Sequence, residues 1–173
     1  MAKKSKLIDK DQGYNRILKD LASLGQPSIT VGIHSEDNKP YQRGQGAAVT
    51  TAQIGTFHEF GTLDRFEDSS PAGDGRSGVP QRSFLRSTVD ENRAKYADLI
   101  SRGVAKVLDG SMTMPRALGL VGARVAADVQ EKISKGIDPA LTQQTIARKG
   151  SSKPLVDTGQ LRQAIDWKIE EKK

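Results

Sequence analysis

The strongest constraint on this chain is the stretch 114–135, which combines a helical repeat with a run of small residues. Leu118, Val121, Val125, Val129 and Ile133 recur at three- and four-residue steps, the spacing that gathers side chains on one helical face. Pro115 suits a first helical turn, where its missing N–H costs nothing, and Gly136 supplies a stop. Gly119, Gly122, Ala123, Ala126 and Ala127 line the same helix, so another backbone can approach closely. In a soluble chain such a surface predicts tight packing against a sheet or a partner helix.

A second long helix is predicted over 88–108, with Val89, Tyr96, Leu99, Ile100, Val104, Val107 and Leu108 on one broad face and Asp109-Gly110 as its break. Residues 11–24 repeat the pattern on a smaller scale (Tyr14, Ile17, Leu18, Leu21, Leu24), capped by Asp11 and ended by Gly25 and Pro27. Two segments alternate with period two: Ile29, Val31 and Ile33 within 28–34, and Ile165, Trp167 and Ile169 within 164–170. They are expected to pair as an antiparallel sheet. The segment 49–60 reads as a short helix ended by Gly61, although its threonines weaken the pattern. Residues 37–46 and 137–153 read as loops, and Asp157-Thr158-Gly159 as a turn into a short helix at 160–163. The expected fold is therefore α+β: a small antiparallel sheet packed against two long helices, with extended loops. One domain over 11–173 follows a flexible basic tail at 1–10. A mobile loop is expected at about 62–80, where Pro71, Gly73, Gly75, Gly78 and many charges leave little to bury.

At 173 residues the chain has the length to bury about two-thirds of its unfolded surface. Only 35% of it is hydrophobic and 5% aromatic, against 28% charged, which is lean for a self-sufficient core. Long solvated segments, or surfaces buried only on assembly, both account for that. Cysteine is absent, which excludes disulfides and thiolate metal sites and fits a cytoplasmic origin. No apolar run approaches the ~20 residues that span a bilayer, and no apolar stretch follows the basic start, so neither a membrane partner nor a signal peptide is expected. The net charge of +6 favours polyanions, but its 27 Lys and Arg are interleaved with 21 Asp and Glu, as on a solvated surface.

Three apparent catalytic motifs fail on their chemistry. His58-Glu59 would need a second His one turn on to hold zinc, and Thr62 stands there. His34 is the only other imidazole; convergence of His34, His58 and Glu59 on a metal is the weaker reading, beside one in which His58 packs near the helix end and Glu59 faces water or an Arg. Asp157-Thr158-Gly159 spells an aspartic-protease tripeptide, but that chemistry needs two carboxylates sharing a proton, and one copy is present. The Gly-rich stretches 44–46 and 73–78 lack the Lys-Ser/Thr pair of a phosphate loop, and no serine-nucleophile elbow occurs. Arg82 and Arg86 flank Phe84 and Leu85; they could touch phosphate, or pair with a neighbour's acids while the two apolar residues anchor a helix start. The expectation is a non-enzyme without a cofactor.

Four segments taken in order resemble a known family: Val31-Gly32-Ile33-His34, AQIGTFHEFGT at 52–62, VPQRSFLR at 79–86 and KPLVDTGQLRQAI at 153–165. They are similar to the "hEFG…iPxRPFLR…LxdTGxLxxSI" pattern of tailed-bacteriophage tail-completion, minor tail and virion-morphogenesis proteins. The resemblance covers about 28–169, with Ser83 where Pro is common and Ala164 where Ser is common. It implies an α+β virion subunit, made in the bacterial host cytoplasm, that forms a ring of its own copies (a hexamer favoured) at the head–tail junction. Its partners would be tail-tube or tail-terminator and neck or connector proteins, with non-specific contact to genomic DNA in the lumen. The residues implied at interfaces or in support of the fold are His58, Glu59, Phe60, Gly61, Arg82, Phe84, Leu85, Arg86, Asp157, Thr158, Gly159 and Leu161. A non-sequence-specific DNA-binding module is the alternative.

Overall fold

A computed structural model describes residues 13–24, 26–40, 49–62, 79–140, 146–147, 155 and 159–172. The tail at 1–10, most of the 62–80 loop, Gly25, and Asp157 with Thr158 lie outside the described residues. The elements run α1 (Tyr14–Leu24), β1 (Gln26–Ile33), α2 (Thr51–Phe60), α3 (Leu85–Glu91), α4 (Arg93–Leu108), α5 (Met114–Lys135), α6 (Gln160–Gln163) and β2 (Ile165–Lys172). The fold is α+β, with a two-stranded antiparallel sheet against the long helices.

α5 is the element on which the others rest. It spans the 22 residues that periodicity predicts, with Pro115 in its first turn and Gly136 as its C-cap. Val121, Val125, Val129 and Ile133 are buried along one face. β1 and β2 lie against that helix in a register that sets Ile29 opposite Ile169, Val31 opposite Trp167 and Ile33 opposite Ile165. Alternation thus turns one apolar row inward, while Ser28, Thr30, Asp166, Lys168 and Glu170 share the other face. The Gln130 side-chain amide donates to the Ile165 carbonyl at 2.9 Å and ties helix to strand.

The small residues of α5 have a specific task. A Cβ on Gly119 would stand 2.9 Å from Cη2 of Trp167, and one on Gly122 only 2.7 Å from its Cε3. The indole of β2 therefore lies where any larger side chain would be. On another face of α5, Asp128 is buried and takes bonds from Lys95 Nζ at 2.6 Å, Tyr96 Oη at 2.9 Å and Arg124 Nη2 at 2.9 Å. Burial pushes the Asp128 pKa up, but these three donors outweigh it and hold the carboxyl below its ordinary range. Burial, then the adjacent carboxylate, raises that of Tyr96. This network fastens α4 to α5.

Three expectations need correction. The helix predicted over 88–108 begins earlier, at Leu85, and is interrupted at Asn92, which caps α3 and starts α4. Its broad apolar face is only partly used: Tyr96 and Val107 are buried, whereas Val89, Ile100, Val104 and Leu108 are exposed. The interruption at Asn92 divides the predicted stripe between two helices. The strand predicted over 28–34 begins earlier, at Gln26, and takes in Pro27 near its start, as the edge of a two-stranded sheet allows.

Gly122→Ala is expected to destabilise the fold by about 1–3 kcal/mol through overpacking against Trp167. Urea unfolding checks it, and Trp167→Leu in the same chain should recover part of that loss.

Candidate functional site

The segments at 52–62 and 79–86 meet in space, and a buried carboxylate joins them. α2 begins with a reciprocal cap: Thr50 Oγ1 accepts from the Gln53 amide at 3.3 Å and Gln53 Oε1 accepts from the Thr50 amide at 2.9 Å. The threonines that weaken the helical pattern are thus its start signal. Thr51, fully buried, donates to the Lys39 carbonyl at 2.9 Å and accepts from Gln160 Nε2 at 2.9 Å. Gln160 also reaches the Pro40 carbonyl at 2.9 Å, so the helix after Gly159 is bolted to the head of α2.

Glu59 stands in the last turn of α2 and is 5% exposed. Its Oε2 accepts from the amides of Phe84 at 2.8 Å and Leu85 at 2.9 Å. Its Oε1 accepts from Ser83 Oγ at 2.6 Å and from the Arg86 amide at 3.1 Å. α3 takes one local bond, from the Ser87 amide to Ser83 Oγ at 3.3 Å; its N-cap Phe84 offers none and its first turn holds no acid. Its orphan N–H groups are satisfied by a carboxylate 25 to 27 positions back in the chain. Burial pushes the Glu59 pKa up, but the bonds from Ser83, Leu85, Arg86 and Phe84 outweigh it and keep it below its ordinary value. Glu59 does not face water or an Arg, as the sequence suggests; it caps a helix from a distance.

The same joint is braced on both sides. The Arg82 amide donates to the His58 carbonyl at 2.7 Å, and the Gln81 side chain to the Glu59 carbonyl at 3.1 Å. Thr62 donates its amide to Val79 O at 2.9 Å and accepts the Val79 amide on Oγ1 at 2.6 Å, which closes the base of the 63–78 segment. Gly61 sits between them at φ 73°, ψ 172°, where a Cβ would come within 3.1 Å of Gln81 N and 3.2 Å of Val79 O. Glycine is required there twice over, by conformation and by space.

The remaining motif residues are placed as follows. Phe84 is fully buried in the core, and Leu85 packs partly buried against it. Leu161 is buried beside them, close to Gly55 of α2. Arg82 is 4% exposed, with Nε donating to the Pro139 carbonyl at 2.8 Å. It is an internal strut, buried and bonded to backbone carbonyls. Phe60 is 65% exposed, and Arg86 points its guanidinium outward. His58 is half-buried on α2, and Gly159 begins α6 with φ 75°. Ser83, Thr51, Gln160 and Gly55 belong to this joint and escape sequence reasoning. The amides at 84–86 must find acceptors, and nothing local in the sequence says which.

Chemically this is a fastening. Both Glu59 oxygens are taken by four protein donors, which fills the lone-pair sites of a carboxylate and leaves none for a metal or a substrate proton. Among the described residues no group of three or more His, Cys, Asp or Glu could hold a metal ion, and no helix is long and apolar enough to cross a membrane. No family model, curated protein or solved structure matches the chain.

Glu59→Gln should cost about 2–3 kcal/mol, since a buried charge-assisted acceptor is halved and one amide N–H then faces a donor. Because the folded pKa is depressed, the contribution of Glu59 is present above the ordinary carboxyl value of 4.5 and lost as pH falls through the lower folded value. Denaturant titrations should show a smaller stability difference between wild type and Glu59→Gln at acid pH than at pH 7. Gly61→Ala is expected to cost about 1–3 kcal/mol from backbone strain alone, read as a lowered unfolding midpoint.

Proposed function

We propose that this chain is a structural subunit of a tailed-phage virion, forming a ring at the head–tail junction that completes the tail and joins it to the neck. The observation that carries the reading is the Glu59 joint. Two of the segments that resemble the tail-completion pattern, HEFG and PQRSFLR, are wired together by Glu59, Arg82 and Gly61, and Gln160 of the third holds the far end of the same helix. Residues spent on internal fastening suit a protein whose work is to hold a shape. Tyr14, Phe60, Ile100, Val104, Leu108 and Leu120 remain exposed, and a ring subunit must bury such side chains on neighbours.

Heterologous contacts, in which one patch meets a different patch on the next copy, close into a ring when the rotation between copies divides a full turn. The motif residues then act at one remove, by fixing the relative aim of α2 and α3. Duplex DNA is the competing partner. Several cations are already paired within the chain, among them Lys95 and Arg124 with Asp128, Arg102 with Asp98 and Lys135 with Glu131. A polyanion would have to compete with those pairs.

Sedimentation velocity and negative-stain imaging of the full chain with its tail proteins should show rings. Deleting the gene from the phage should yield heads and tails that fail to join. A chain that stays monomeric with those partners present, and whose loss leaves joining intact, overturns the reading.

A further inference from the structure

One face of α2 is left open by the described residues. Ala52, Gly55, Thr56, Glu59 and Phe60 follow one another at helical spacing and line a groove of about 380 Å³. Its floor and opposite wall are Ile33, Phe84, Leu85 and Arg86. Three of the five helix positions are small, so the groove is a concavity that no side chain of the described residues fills. Glu59 contributes no free charge there, because all four of its bonds are internal. The charge left on the rim is the guanidinium of Arg86, which is exposed and makes no ion pair among the described residues; Asp90, one turn on in α3, is not within pairing distance. The groove therefore asks for an apolar side chain with a carboxylate next to it.

The chain itself carries that combination. Leu108 is 58% exposed at the last residue of α4, and Asp109 follows it where the chain reverses through Gly110 at φ 81°. The corner is pre-shaped: the Ser111 amide donates to Asp109 Oδ1 at 2.8 Å and the Asp109 amide to Ala105 O at 3.0 Å. Lys106 is the cation nearest to Asp109 on its own helix, and Arg16 of α1 reaches Gly110. Asp109 forms no ion pair with either. Leu108 does not line the groove of its own chain, and α4 alone, 16 residues long, separates its two ends by about 24 Å.

We infer that the α2–α3 groove receives the Leu108–Asp109 corner of a second copy of this chain, Leu108 entering between Ala52, Thr56 and Leu85 and Asp109 pairing with Arg86. Because the two patches differ and lie apart on one molecule, the contact repeats head to tail. It supplies a specific interface for the ring proposed above and rests on that reading only for its closure.

The absence of cysteine makes the test direct. A chain carrying Thr56→Cys and Leu108→Cys, oxidised at assembly concentration, should give a ladder of disulfide-linked oligomers, whereas either single variant should give none beyond dimers. Adding Arg86→Glu should cut the ladder by about fivefold or more, and Arg86→Glu with Asp109→Arg should restore it. The Arg86 side chain bonds to no other element among the described residues, so circular dichroism of the Arg86 variant should match wild type; Asp109→Arg gives up only the Ser111 bond of its own corner, so the double reversal should keep the same helix content. Leu108→Asp is a second way to abolish the ladder. No ladder from the double-cysteine chain, or a ladder indifferent to charge reversal, overturns the contact. Rings in micrographs without a ladder remove this contact and leave the ring reading; a ladder without rings keeps the contact and removes the ring.

Discussion

The carboxylate of Glu59 sets the terms for the rest of the molecule. An ionised group taken out of water is costly unless its charge is matched by donors, and here the donors are the amides that open a helix, where the backbone dipole is already positive. Four bonds to one side chain fix the end of α2 against the start of α3. That fixed start places Phe84 in the core, where it joins Leu161, Ile165 and Val129. α3 then leads through Asn92 into α4, and the Asp128 network holds α4 to α5. The sheet closes the other side through Trp167, seated on two glycines. A core lean in aromatics is thus organised by two buried carboxylates as much as by apolar area.

The chain disclosed its periodic parts readily. α5 reads from its repeat because burial on one helical face is a local pattern, and its ends read because Pro115 and Gly136 act through their own backbone chemistry. The pairing of β1 with β2 reads for the same reason, since alternation fixes which side chains face the helix. The joint does not read, because every donor to Glu59 is 24 to 27 positions away and the acceptor looks like any acid at a helix end. Arg82 misleads in the same fashion: an Arg in a basic chain suggests a surface, yet two carbonyls at 139–140 accept it inside. Asn92 breaks the 88–108 helix although its neighbours keep the repeat, so the stripe of Ile100, Val104 and Leu108 stays on the outside.

These placements separate two kinds of information in the motif pattern. An acid at the end of one helix, a glycine after it, an internal Arg, and a Ser-Phe-Leu run whose amides bond that acid are the parts of a single fastening. Each constrains the others sterically or by hydrogen bonding, so their joint occurrence in order speaks chiefly to the fold. Arg86 is different. Its amide serves the joint while its guanidinium faces outward beside an open groove, so the fastening requires the position but not the residue type. A backbone contact alone would accept any side chain there, so the exposed guanidinium, unpaired among the described residues, is left for the recognition proposed above. The proposed surfaces between copies are therefore to be sought at the edges of the motif, where structural demand ends and side-chain identity still matters.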